Sequence, residues 1–114
     1  MGSFVIRQVA TGVKFDLKAA NGETIATSEV YRTEAACRKG MESVRKCAAC
    51  AAIEDATAGG RATHPKFQLY RDRSGKYRFR LTARNGKVIA VSEGYSTHAA
   101  AMDGMGSVRK NAAE

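Results

Sequence analysis

The sequence predicts an α+β fold built from two tandem β-β-β-α units in one domain. Three observations carry that expectation. The chain repeats itself, each copy opens with period-two alternation around an Asn-Gly pair, and each copy closes with helical periodicity. Residues 4–48 and 67–112 are the copies; from Lys14 to Ala48 they align without gaps at an offset of 64, with 20 of 35 positions identical. A 114-residue chain is one domain's worth, and units of this size are near the lower limit for folding alone, so the copies are expected to share a core.

The first element of each copy is a short strand, Phe4-Val5-Ile6-Arg7 and Phe67-Gln68-Leu69-Tyr70, ended by turn signals at Gly12 and at Ser74-Gly75. A second strand follows. Val13 to Ala19 and Tyr77 to Ala83 alternate apolar and polar residues, the mark of a strand buried on one face only. Asn21-Gly22 and Asn85-Gly86 come next, and both residue types tolerate the positive φ of a two-residue hairpin turn. The third strands run through Thr24-Ile25-Ala26-Thr27 and Val88-Ile89-Ala90-Val91.

The period then changes. Thr33 and Thr97 are suited to cap a helix, each hydroxyl accepting from an amide of the first turn. Cys37, Met41, Val44 and Ala48 fall at helical spacing, as do Ala101, Met105, Val108 and Ala112. Gly40 and Gly104 lie inside these helices, where glycine costs about 1 kcal/mol against alanine. Their presence in both copies predicts that each helix lies close to another backbone there. Ala49 to Lys66 reads as connector, with a short strand at 51–57 and turn signals at Ala58-Gly59-Gly60 and His64-Pro65.

Hydrophobic content of 44% and charged content of 26% are ordinary for a soluble globular chain. No apolar run approaches the ~18 residues of a membrane span. The N-terminus has no secretory pattern, and Ile6 stands where myristoylation wants Ser or Thr, so the cytosol is the expected compartment. The three cysteines are odd in number, and Cys37 and Cys47 align with Ala101 and Asn111, which argues against a disulfide framework.

These residues resemble the YegP-like family of small bacterial proteins of unknown function. The shared pattern is Phe, a turn Gly, an alternating strand ending Leu-x-Ala, Asn-Gly, Ile-Ala, Ser-Glu-x-Tyr, and a helix ending Ser-Val-Arg-Lys. The resemblance implies tandem β3-α-β units that form one antiparallel sheet with the two helices packed on one face. The strand after each helix is exchanged toward the other unit. Repeat one then spans about 4–57 and repeat two about 67–112 of a single domain, 1–114. Residues 51–57 become the strand after the first helix, whereas Asn111-Ala112-Ala113-Glu114 is too short to supply its counterpart. The resemblance brings no activity, cofactor or catalytic residue.

Each chemical motif has a structural reading beside its functional one. Ser28-Glu29-x-Tyr31 and Ser92-Glu93-x-Tyr95 could pair a base with a hydroxyl, but a serine nucleophile needs a neighbouring base, and His64 and His98 occupy non-equivalent positions. The motif sits at a strand-to-helix junction, where Ser and Glu can satisfy orphan amides and Glu can pair with Arg45 or Arg109. Cys47-Ala48-Ala49-Cys50 has redox spacing but falls at a helix C-terminus, where the dipole opposes a thiolate. Zinc would need Cys37 and His64 at irregular spacing, and Ala58-Gly59-Gly60-Arg61 lacks a phosphate-loop ending. No catalytic, cofactor-binding or metal-binding residue is assigned.

Charge is the remaining signal. The formal net charge is +8. With Phe15, Leu17, Phe79 and Leu81 facing the helices, Lys14, Lys18, Arg78, Arg80 and Arg84 are expected on the outward sheet face beside Tyr70, near Arg71, Arg73 and Lys76. A basic face with an aromatic suits single-stranded nucleic acid or another polyanion; the other reading is a solvated face, basic for solubility. The sequence therefore points to a non-catalytic binding or accessory module and not an enzyme, expected as a monomer with no cofactor. The sequence identifies no partner; the basic face is compatible with a nucleic acid or an acidic protein, and no membrane is expected.

Overall fold

The alternation becomes a paired ribbon. β1 (Ser3–Val9) and β2 (Gly12–Lys18) run antiparallel, with Phe4 opposite Leu17 and Ile6 opposite Phe15. β3 (Thr24–Thr27) continues the ribbon, and α1 (Glu34–Cys50) follows. The same order recurs in β5 (Lys66–Arg71), β6 (Tyr77–Thr82), β7 (Val88–Val91) and α2 (His98–Ala112). Between the two stand β4 (Ala52–Asp55) and a single 3₁₀ turn at Ala56–Ala58. The computed structural model describes residues 2–112, so Met1 and the last two positions of the chain lie outside the described residues.

The seven strands of the described residues form one sheet in the order β1-β2-β3-β7-β6-β5-β4. β3 meets β7 at the centre through Thr27 and Val91. The expected antiparallel pairing holds for every neighbouring pair but one, because β4 runs parallel to β5. The connector from Ala56 to Pro65 is the cause: it carries the chain back to the end from which β4 started, so β5 sets out in the same direction. β4 follows the first helix yet pairs only with a strand of the second half, the exchange that the family resemblance implied.

Phe15, Leu17, Phe67, Leu69, Phe79 and Leu81 line the helix side of the sheet, each at most 1% exposed, and join Cys37, Val44, Ala101, Met105 and Val108 in one core. Truncating a phenylalanine in such a place costs ~3–5 kcal/mol. Each helix lies across the seam: α1 packs on β1 and β2 but also on β5, β6 and β7, and α2 packs on β6 but also on β1, β2 and β3. The Thr33 and Thr97 hydroxyls accept from the Ala36 and Ala100 amides at 3.1 and 3.0 Å, as N-caps should.

Two local expectations are corrected. The Asn-Gly pairs do not make two-residue turns. Ala19 and Glu23 close a three-residue loop of Ala20-Asn21-Gly22 in which only Gly22 has positive φ, at 85°. Asn21 stays at negative φ because its Oδ1 accepts from the Glu23 amide at 3.0 Å. Asn85 and Gly86 repeat the arrangement. Nor does another backbone crowd the helix glycines: it is a tyrosine ring. The Tyr31 ring stacks on Phe15 and passes over Gly40, as the Tyr95 ring stacks on Phe79 and passes over Gly104.

Candidate functional site

The outward face of the sheet is set by register. Phe79 and Leu81 point to the helices, so Arg78 and Arg80 point away. Tyr70 lies opposite Arg78, and Gln68 opposite Arg80. At the other end of the face, β2 presents Lys14, Asp16 and Lys18. Five of the six residues expected here, Lys14, Lys18, Tyr70, Arg78 and Arg80, therefore share this face. They do not form one stripe. β3 and β7 separate the two groups with Thr27 and Val91, a gap of three strand spacings, or about 14 Å.

Arg84 is the exception. It was expected to continue the outward series of Arg78 and Arg80, but β6 ends at Thr82 and Arg84 is the first residue of the three-residue loop. There it turns toward α1 and lines a space with Lys46 and Cys47.

Many cations on the face are already paired. Arg7 Nε donates to Asp16 at 2.8 Å, Arg78 Nε donates to Asp72 at 2.7 Å, and Lys66 Nζ donates to Glu54 at 2.7 Å. Glu54 also accepts from Gln68 and from the Ala62 amide, and these bonds, led by that from Lys66, hold its carboxyl at about 2. The Ser74 hydroxyl and Arg78 hold Asp72 well below the usual carboxylate range. Burial pushes the Asp16 carboxyl up, yet hydrogen bonds from Arg7 and Thr27 and the charges of Arg7 and Lys14 leave it lowered. Lys14, Lys18 and Arg80 are the sheet-face cations with no carboxylate partner among the described residues. Arg80 lies over the Tyr70 ring, 4.2 Å from its centroid, and its Nε is buried without a hydrogen-bond partner.

The other motifs have structural work. Ser28 Oγ accepts from the Phe15 amide at 2.9 Å and donates to the Glu29 carbonyl at 2.7 Å; Ser92 does the same with Phe79 and Glu93. The hydroxyl thus satisfies a strand amide, not the helix amide the sequence suggested. Glu29 and Glu93 do not pair with the helix arginines. Arg45 takes Glu42 at 2.7 Å and lies over Phe4, while Arg109 donates to the Ala48 and Ala51 carbonyls and lies over Phe67. Cys37, Cys47 and Cys50 are free thiols. Burial pushes the Cys37 and Cys47 thiols up, the opposite of what redox chemistry needs. His64 bonds the Thr82 hydroxyl and His98 bonds Asp55, each at about 2.7–2.8 Å, at unrelated places. Among the described residues no group of three or more His, Cys, Asp or Glu gathers to hold a metal, and no helix is long and apolar enough to cross a membrane.

One concentration of charge escaped the reading of the sequence. Lys39 and Lys46 of α1 face Arg84 and Lys87 of the β6–β7 loop. Residues so far apart carry no local pattern. The signal that could have found them is the difference between copies, since Asp103, Ala20 and Glu23 stand at the positions equivalent to Lys39, Arg84 and Lys87.

Known proteins share both the pattern and the architecture. The family described as "Domain of unknown function (DUF1508)" matches residues 10–55 and 72–114. A UPF0339 protein of Photorhabdus laumondii is 38% identical over 97 residues, covering 85% of this chain and 74% of the relative. A UPF0339 protein of Treponema denticola is 57% identical over 47 residues, which is 41% of this chain but 81% of the relative. The solution NMR structure of the protein of unknown function yegP from E. coli superimposes with a TM-score of 0.80 at 30% identity, covering 99% of this chain and 87% of that one. The family's description names no activity. With the repeated motif, the seven-stranded sheet and these matches together, the chain belongs to the DUF1508 family, the YegP-like proteins.

Proposed function

We propose that this protein is a non-catalytic binding module, and that it takes single-stranded nucleic acid across the outward face of its sheet. One observation carries the reading. Arg80 and Tyr70 form a stacked cation–aromatic pair on that face, and Arg80 has no carboxylate partner among the described residues. An aromatic with a guanidinium over it offers a base a flat partner and a phosphate a charge, and stacking of this kind is worth ~1–3 kcal/mol per base. Lys14 and Lys18 lie about 14 Å away across β3 and β7, within the span of a site of ~4 nucleotides. Tethered cations at both ends of a short strand would set its path without reading its sequence.

The test is fluorescence anisotropy with a labelled 12-nucleotide single strand at rising salt, comparing wild type with Arg80→Ala/Tyr70→Ala and with Lys14→Ala/Lys18→Ala. The first variant should lose at least tenfold in affinity, and the second should mainly flatten the salt dependence. Binding that disappears by physiological salt, or that neither variant changes, would reduce the face to a solvated surface and favour an acidic protein as partner.

A further inference from the structure

From a groove on the helix side of the molecule we infer a second site, one that takes a linear phosphate chain. The groove runs between α1 and the β6–β7 loop. At one end, a space of about 190 Å³ is lined by Tyr31, Lys39, Ser43, Asn85 and Lys87. At the other, about 300 Å³ is lined by Ser43, Lys46, Cys47, Arg84 and Asn85. Ser43, Ala83 and Asn85 line both spaces, so the two are adjoining halves of one groove. Lys39 and Lys46 are seven residues apart on one helical face, about 10 Å along the axis. The groove therefore has a pair of cations at each end and two neutral hydrogen-bonding side chains between.

None of the four cations is paired among the described residues. Of the two acids of α1, Glu34 is paired with Arg38 at 2.8 Å, and Glu42, which lies beside Lys39 and Lys46 on the outer side of the helix, is paired with Arg45 at 2.7 Å. Glu29 near Tyr31 is a carboxylate that approaches one end. A cleft lined by one sign of charge raises the local concentration of the opposite ion. The spacing rejects a lone phosphate, which could meet only one end, and fits an anion extended over several phosphates. The Tyr31 ring is committed to Phe15 and Gly40, so the groove offers phosphoryl oxygens charge and hydrogen bonds but no aromatic face for a base.

The molecule contains its own control. The twin groove between α2 and the β2–β3 loop, about 410 Å³, is lined by Ala20, Asn21, Asp103, Ser107 and Lys110. Burial raises the Tyr95 phenol, and the charges of Glu93 and Glu23 add to it, so Glu23 reaches the Tyr95 end of this groove. Ser43, Asn85 and Lys46 have counterparts there in Ser107, Asn21 and Lys110. The charged side chains lining the first groove are all cations, whereas Asp103 stands among those lining its twin. General solubility gives no reason to concentrate charge in one of two equivalent clefts, and a ligand does.

The test is calorimetric titration with inorganic tripolyphosphate at physiological salt. Wild type should bind one equivalent. Lys39→Asp/Arg84→Ala/Lys87→Glu, which gives the groove its twin's residues and so suits the fold, should lose at least tenfold in affinity. The reverse change, Ala20→Arg/Glu23→Lys/Asp103→Lys, should raise the stoichiometry to two. Tighter binding of a nucleoside triphosphate than of tripolyphosphate would assign the chain to a nucleotide tail, and tighter binding of long inorganic polyphosphate would assign it to that polymer. The Arg80→Ala/Tyr70→Ala variant should bind as wild type does, which separates this site from the sheet face. No saturable binding, or equal binding by wild type and the twin-matched variant, would overturn the inference.

Discussion

Replacing Gly104 by alanine should destabilise the protein, although the same change in an ordinary helix stabilises it. Helix propensity alone favours alanine by about 1 kcal/mol. A Cβ at Gly104 would, however, lie 2.5 Å from Tyr95 Oη, 2.8 Å from its Cζ and 3.0 Å from Phe79 Cε2. Carbon contacts are comfortable at about 3.5–4.0 Å, so the phenol must retreat by about 1 Å. It has little room to do so. Its ring is stacked on Phe79 at 6.2 Å, and its backbone is fixed by paired hydrogen bonds to Tyr77 of 2.8 and 2.7 Å. Overpacking of this kind costs ~1–3 kcal/mol, which leaves a net loss of about 1 kcal/mol and a fall in melting temperature of about 4 °C. Urea unfolding of four proteins decides it: wild type, Gly104→Ala, Tyr95→Ala and the double variant. In the Tyr95→Ala background the alanine should stabilise by about 1 kcal/mol, a reversal of sign that measures the coupling. A Gly104→Ala protein more stable than wild type, or a cycle that adds without coupling, would refute the reasoning.

Three further outcomes follow from the same structure. Ser92→Ala strands the buried Phe79 amide and should cost about 1–3 kcal/mol in urea unfolding, with Ser28→Ala behaving alike. Acid should weaken the fold early: Glu54 sits at about 2 against an ordinary 4.5, so its contribution is complete above 4.5 and is lost as pH falls toward 2, with Asp16, Asp55 and Asp72 acting in the same direction. Circular dichroism across that range checks it, and Glu54→Gln should flatten the lower part of the profile. In native buffer a thiol reagent should modify Cys50 alone at once, while Cys37 and Cys47 react only as the protein unfolds.

Much of the architecture was legible because its signals are local and doubled. Alternation in Val13–Ala19 and Tyr77–Ala83, the caps at Thr33 and Thr97, and the helical spacing of Met41 and Val44 all describe neighbours in sequence. What stayed hidden depends on where distant segments meet. Spacing shows that Gly40 needs room, but not that the room is for a tyrosine held nine residues earlier by its bonds to Val13. An Asn-Gly pair announces a turn, but the choice of a three-residue loop rests on an Asn21 side chain that ties itself to Glu23. That choice also moved Arg84 from the sheet face to the helix side, because a residue in a loop no longer obeys the alternation of the strand before it. The pairing of Arg78 with Asp72 and of Lys66 with Glu54 was invisible for the same reason: counting cations gives a charge, and only the folded register says which of them remain unspent.

The seam-crossing helices and the exchanged β4 have a consequence for how the polypeptide can be divided. Either half taken alone would strip its helix of the part of the sheet that lies across the seam, and the first half would carry β4 without the β5 edge it pairs with. The peptide bond between Gly59 and Gly60, by contrast, lies in an exposed loop outside every strand and helix. Severing it would break the chain and spare the interlock. Two fragments, 1–59 and 60–114, should thus be unfolded apart and fold on mixing. Their affinity would be the folding free energy itself, reduced by the loss of the tether's effective concentration.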